Sequence, residues 1–345
     1  MNPADTNQVC TAKIDASCRV PLLALFLGAS LWLVLGLAFA VLASLTFHNP
    51  EITAHCSCLT YGHVQAVAND LLVYGFAIPA ALGVMLWIFA RLSQTELELP
   101  IVPFAAAHLW HLGVFVGVAT ILGGGSSGYT WLEFPRASAA LLGVSFVLVA
   151  VSAVATFAQR KERELYPSHW FFLAALLWFP WIYSTANAFI VSVHPVRGVA
   201  QGVINWWYAD NLIFVWLALV GLGTSFYLIP KISGQPLKSR FYAMFAFWTL
   251  TLFGTWIGIP AGAPVPAWLP AMSQFASYML IVTIIAVAVV LVKTLCGAKV
   301  NSFGGTFYYT RFGSFMFLVS ALMLIAQACP EHGGVLEFTW FGQAQ

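Results

Sequence analysis

Nine long apolar stretches, separated by short polar or Gly/Pro-rich breaks, set the rhythm of this chain: about 20–47, 67–90, 104–122, 137–158, 168–193, 203–230, 241–259, 272–295 and 312–329. A helix needs roughly 20 mostly apolar residues to cross about 30 Å of hydrocarbon. The pattern therefore predicts an all-α fold, a polytopic transmembrane helical bundle of about nine helices. No repeat or low-complexity linker divides it, so a single membrane domain is expected over 1–345. It has a short tail over 1–19, the bundle over 20–329, and a segment 330–345 that reads like the opening of a further helix.

Composition agrees. The chain is 61% apolar and only 8% charged, too little charge for the surface of a water-soluble globular protein. Lys and Arg are retained on the cytoplasmic side during insertion. With the N-terminus inside, the inner segments hold Lys13, Arg19, Arg91, Arg160, Lys161, Arg163, Lys231, Lys238, Arg240, Lys293, Lys299 and Arg311, leaving Arg136 and Arg197 outside. Nine helices then put the C-terminus outside. The first 19 residues include Asp5 and Asp15 and precede a helix too long for a cleaved signal, so the first span is read as retained. The net charge of +2 reflects topology, and nucleic acid is not an expected partner.

Several polar residues invite chemistry. His48, His55, Cys56, Cys58 and His63 fall in one outer loop and form a candidate metal site, although their spacing matches no standard closed site. Cys329 is also outside, so a disulfide to Cys56 or Cys58 is open. His108 and His111 share one helix face and cannot clamp a haem from opposite sides; they read as polar groups facing a neighbouring helix or headgroups. The run Gly123-Gly124-Gly125-Ser126-Ser127-Gly128 lacks the Lys-Ser/Thr of a phosphate cradle and reads as a turn. Asp70 and Asp210 lie in spans, where a carboxylate costs on the order of 3 kcal/mol and usually has a partner or a role. They are the candidate proton or ion path.

One span opens with Trp206-Trp207-Tyr208-Ala209-Asp210-Asn211 and closes with Tyr227-Leu228-Ile229-Pro230-Lys231. Elsewhere stand Leu59-Thr60-Tyr61-Gly62, Trp131-Leu132-Glu133-Phe134-Pro135 and Trp256-Ile257-Gly258. Together these resemble subunit I of the C-family, cytochrome cbb-type, haem-copper oxidases, with their W-W-Y-G-H-N, Y-x-x-P-K, L-T-F-G, E-W-P and W-A-G motifs. The likeness covers essentially the whole chain, which ends where that family's tenth helix begins.

The resemblance implies two haems, one copper and a bacterial inner-membrane location, yet the ligand positions differ. The helix-two histidine corresponds to Ala68, the helix-six copper ligand to Asp210, the two adjacent histidines of helix seven to Pro260 and Ala261, and the helix-ten pair to Gln343 and Gln345. The active-site tyrosine corresponds to Gly254. No histidine lies between His194 and His332, whereas such sites need imidazole donors. The expectation is thus no catalytic residues and no bound cofactor, in a non-catalytic scaffold subunit of a respiratory or electron-transfer complex. Its partners would be lipid and other membrane subunits, a c-type cytochrome or an oxidase-like chain among them. Two alternatives stand beside it: a component of an active cytochrome c oxidase or nitric-oxide-reductase-like complex whose metals come from other chains, and a proton or cation transporter using Asp70 and Asp210.

Overall fold

The computed structural model describes residues 3–296, 305–327 and 329. Among them every regular element is helical. The long helices are α1 (Pro3–His48), α2 (Tyr61–Ser93), α3 (Ile101–Leu122), α4 (Arg136–Ala158), α5 (Pro167–Val191), α6 (Val199–Ser233), α7 (Arg240–Gly254), α8 (Trp268–Leu295) and α9 (Gly305–Gln327). They follow the nine apolar stretches in order, and eight are long and apolar enough to cross a membrane.

The exception is α7. Its 15 residues reach only about 23 Å at 1.5 Å per residue. The expected stretch 241–259 stops being helical at Gly254 because Gly258 takes a left-handed φ of +98°, and Pro260, Pro264 and Pro266 then bar a return to helix. Local chemistry sets other ends in the same way. Ser239 caps α7 by accepting from the Tyr242 amide, and α6 closes on left-handed Gly234.

The chain divides into two compact units, Met1–Glu164 with Tyr183–Val196, and Leu165–Ile182 with Arg197–Gln345. In the first, Trp110, Tyr74, Phe89, Phe146, Leu25 and Leu71 are fully buried. Small residues let α3 and α4 approach closely, so that Ser138 and Ser145 hydroxyls donate across to the carbonyls of Gly113 (2.7 Å) and Ala106 (2.6 Å). In the second, Trp216, Tyr208, Phe171, Phe172, Phe179 and Phe226 are fully buried, and Trp216 Nε1 donates to Ala175 O at 3.0 Å. The most apolar windows of α2 and α6 are each 61% buried, against 22% for α1 and 6% for α9. These two are therefore the central helices of their respective units.

Three stretches widen to π turns: Leu71–Ala77 in α2, Asn187–Val191 in α5 and Asn211–Trp216 in α6. Such turns are rare and are frequent at functional sites. Two of them begin directly after Asp70 and Asp210.

Gly75 lies in the first π turn, where a Cβ would stand 2.7 Å from Trp32 Cβ of α1. Gly75→Ala is expected to force α1 and α2 apart at a cost of about 1–3 kcal/mol and to lower the thermal unfolding temperature of the purified protein. An unchanged unfolding temperature would contradict this close approach.

Candidate functional site

In the first unit, helical spacing puts His63, Asp70 and Tyr74 along one side of α2. Asp70 is 0% exposed. The segment between α3 and α4 folds back toward it. Ser127 Oγ donates to Leu132 O at 2.7 Å, the Ser127 amide donates to Glu133 O at 3.3 Å, and Trp131 adopts φ +64°, uncommon for a non-glycine residue. Tyr74 fixes this turn by donating its hydroxyl to Trp131 O at 2.5 Å. The tyrosine's own carbonyl, inside the π turn, accepts from Trp110 Nε1 at 2.7 Å. The result brings Glu133, 6% exposed, within hydrogen-bond reach of Asp70.

The two carboxyls have unequal surroundings. Burial pushes Glu133 up to about 7, while its own loop amides, at Glu133, Trp131 and Leu132, and the Asp70 carboxyl pull it down. Neither Asp70 oxygen nor Glu133 Oε2 meets a protein N–H or O–H donor. His63 Nδ1, further along α2, is buried without a donor or acceptor.

In the second unit the Trp206–Asn211 turn is a docking element. Trp207 Nε1 donates to Thr255 O at 2.8 Å. Asn211 donates to Trp207 O at 2.9 Å and accepts from Trp178 Nε1 at 3.2 Å. Gly258 lies against this turn so closely that a Cβ would stand 2.8 Å from Trp206 O and 2.9 Å from Asp210 Cβ. The glycine is required twice over, by this approach and by its positive φ. Asp210 is half-buried. In the same unit, α6, α7, α8 and α9 line an apolar, partly open cavity of about 220 Å³, with Leu217, Leu250, Leu280, Thr283 and Phe317 among its walls.

At the positions that the motif resemblance assigns to haem and copper ligands, the residues present do not provide imidazole. Ala68 is 1% exposed and offers no donor atom. At Gly254 a Cβ would already be 2.8 Å from Val215 Cγ2, which leaves no room for a tyrosine there. Pro260 is buried and Ala261 exposed; Gln343 and Gln345 lie outside the described residues. The histidines and cysteines of the 48–63 loop are not gathered either. Among the described residues no group of three or more His, Cys, Asp or Glu could hold a metal ion. His48 Nδ1 instead meets Ser44 O at 2.8 Å, and Cys56, Cys58 and Cys329 are free thiols. His108 Nδ1 meets Phe104 O. His111 links α3 to α1: Trp32 Nε1 donates to its Nδ1 at 3.1 Å, which leaves the ring proton on Nε2, 3.2 Å from Ala24 O.

Glu133 is the buried carboxyl beside Asp70 that the sequence did not single out. It stood in view as part of a motif shared with a family, and the signal was a span aspartate with no cation nearby in sequence. Asp70 and Asp210 belong to different units. Each is set by its own neighbours.

The family described as cytochrome c and quinol oxidase polypeptide I matches residues 20–344. The chain is similar to cytochrome c oxidase subunit 1 of Rhodobacter capsulatus, 22% identical over 67% of this chain and 46% of that protein. It is also similar to the Cbb3-type cytochrome c oxidase subunit CcoN1 of Stutzerimonas stutzeri, 22% identical over 66% and 49%, and to the cytochrome c oxidase subunit 1 homolog of Azorhizobium caulinodans, 23% identical over 67% and 43%. Each match thus spans less than half of the relative's length. These matches overturn the expectation that the chain takes no cofactor, because the family's cofactors are haem and copper. Ala68, Asp210, Pro260 and Ala261, which the motif resemblance sets at ligand positions, do not fit those groups, because none carries an imidazole. With the resemblance in the motifs and the match from residue 20 to residue 344, this multi-pass helical membrane protein belongs to the cytochrome c and quinol oxidase polypeptide I family.

Proposed function

We propose that the chain is a scaffold subunit of a respiratory or electron-transfer complex, holding an oxidase-type bundle in place while oxygen is reduced on another chain. The carrying observation is the Trp206–Asn211 turn. Trp207 bonds to Thr255 and Asn211 to Trp178, whereas Asp210 stands where the motif resemblance would set the family's copper imidazole and the sequence has no histidine between His194 and His332.

The assembly would sit in a bacterial inner membrane with the N-terminus of this chain inside, as the Lys and Arg distribution favours. Its partners would be lipid, an oxidase-like or nitric-oxide-reductase-like catalytic chain, and a c-type cytochrome. A second reading, proton or cation movement, draws its support from the complete burial of Asp70.

Asp210→Asn is expected to leave oxygen uptake by the assembled complex unchanged, while deletion of the whole subunit lowers the yield of assembled complex on native electrophoresis. A fall of about a hundredfold in Asp210→Asn with assembly intact, the size that a general acid or base contributes, would put this chain into the reaction and overturn the scaffold reading.

A further inference from the structure

Two carboxyl groups, on α2 and on the α3–α4 segment, are buried against one another in the first unit. Asp70 is 0% and Glu133 6% exposed; Tyr74, one turn on from Asp70, donates to Trp131 O two residues before Glu133, which sets the two carboxyls close enough to act on each other's ionisation. Two carboxylates in contact away from water cannot both ionise, and neither can donate to the other without a proton. The surroundings supply no substitute. Both Asp70 oxygens and Glu133 Oε2 lack a protein donor, and among the described residues no lysine, arginine or histidine acts on either carboxyl.

The neighbouring polar groups are engaged elsewhere. Tyr74 gives its hydroxyl proton to Trp131 O. Tyr183 of α5 feels the Asp70 charge but donates to Ala139 O at 3.1 Å. Arg136, the first residue of α4, spends its guanidinium on the carbonyls of Val191 (2.5 Å) and Ser192 (2.8 Å). From α3, Trp110 Nε1 serves Tyr74 O and His111 binds α1. His63 stands two turns away on α2.

We propose that Asp70 and Glu133 form one buried acid dyad that stores a proton, with the Asp70 hydroxyl donating to Glu133 Oε2. The loop amides serve the Glu133 carboxyl, so the negative charge rests there and the proton rests on Asp70. No covalent bond changes; loading and unloading is transfer of one proton to or from the pair. The dyad also clasps the α3–α4 segment onto α2, which couples its protonation to how firmly that segment is held. The inference uses the first unit alone and stands whether or not the chain is a scaffold.

The folded-state value of Glu133 is raised from 4.5 to about 7. The native state therefore binds more protons than the unfolded chain in that window, and stability falls as pH rises through it.

The test combines infrared spectroscopy with thermal unfolding of the full chain in lipid or detergent. At pH near 8 the wild type is expected to show a protonated-carboxyl C=O band that Asp70→Asn removes and Glu133→Gln retains. Its unfolding temperature should fall from pH 4.5 to about 7, with a flatter profile in Asp70→Asn, whose amide replaces the shared proton as donor to Glu133. Glu133→Gln keeps Asp70 in place, so the band can be read even if Asp70→Asn does not fold. A wild type without the band, a band that survives Asp70→Asn, or a band abolished in the wild type by added calcium, which would make the pair a cation site, overturns the proposal.

Discussion

Backbone polar groups inside hydrocarbon must be satisfied within the protein, and much of this structure follows from how that requirement is met where its central helices are irregular. The π turn in α2 holds the Tyr74 carbonyl, and Trp110 Nε1 reaches it at 2.7 Å. At the start of the π turn in α6, the Asn211 side chain takes the Trp207 carbonyl at 2.9 Å. Indole and amide donors at these places allow the irregular backbone to exist at depth. They also fix the side chains that surround it, since each donor comes from, or is itself held by, another helix of the same unit.

The same devices give the family motifs of this chain a packing role of their own. In this chain Trp206 through Asn211 support a close approach by Gly258 and a bond from Trp207 to Thr255. The bonds of Trp207 and Asn211 use no atom of residue 210. Ala68 is likewise packed, one turn before the first π turn, with no polar atom to place.

The spans were legible because hydropathy and length act locally: all nine stretches became helices in the expected order. The length of α7 was less so. Its end depends on a left-handed glycine and three prolines, which a window average blurs. Asp70 announced itself as a charge in a span, but its partner did not, because Glu133 is brought to it by Trp131 at positive φ and by Tyr74, a long-range contact that no local pattern encodes. The loop histidines and cysteines failed in the opposite sense. Closeness in sequence suggested a cluster, whereas His48 turns back onto its own helix and Cys56 and Cys58 stay exposed. The cofactor expectation failed for a different reason: missing donors at aligned positions describe those positions and do not decide what a family member binds.

Under the proposed scaffold role, this chain supplies the architecture of an oxidase while the oxygen chemistry takes place on another chain. Oxygen consumption measured with one electron donor, for the purified chain alone and for the complex isolated with it, tests that claim most directly. Uptake by the complex and none above background by the chain alone is the predicted result; sustained oxygen reduction by the isolated chain would contradict it.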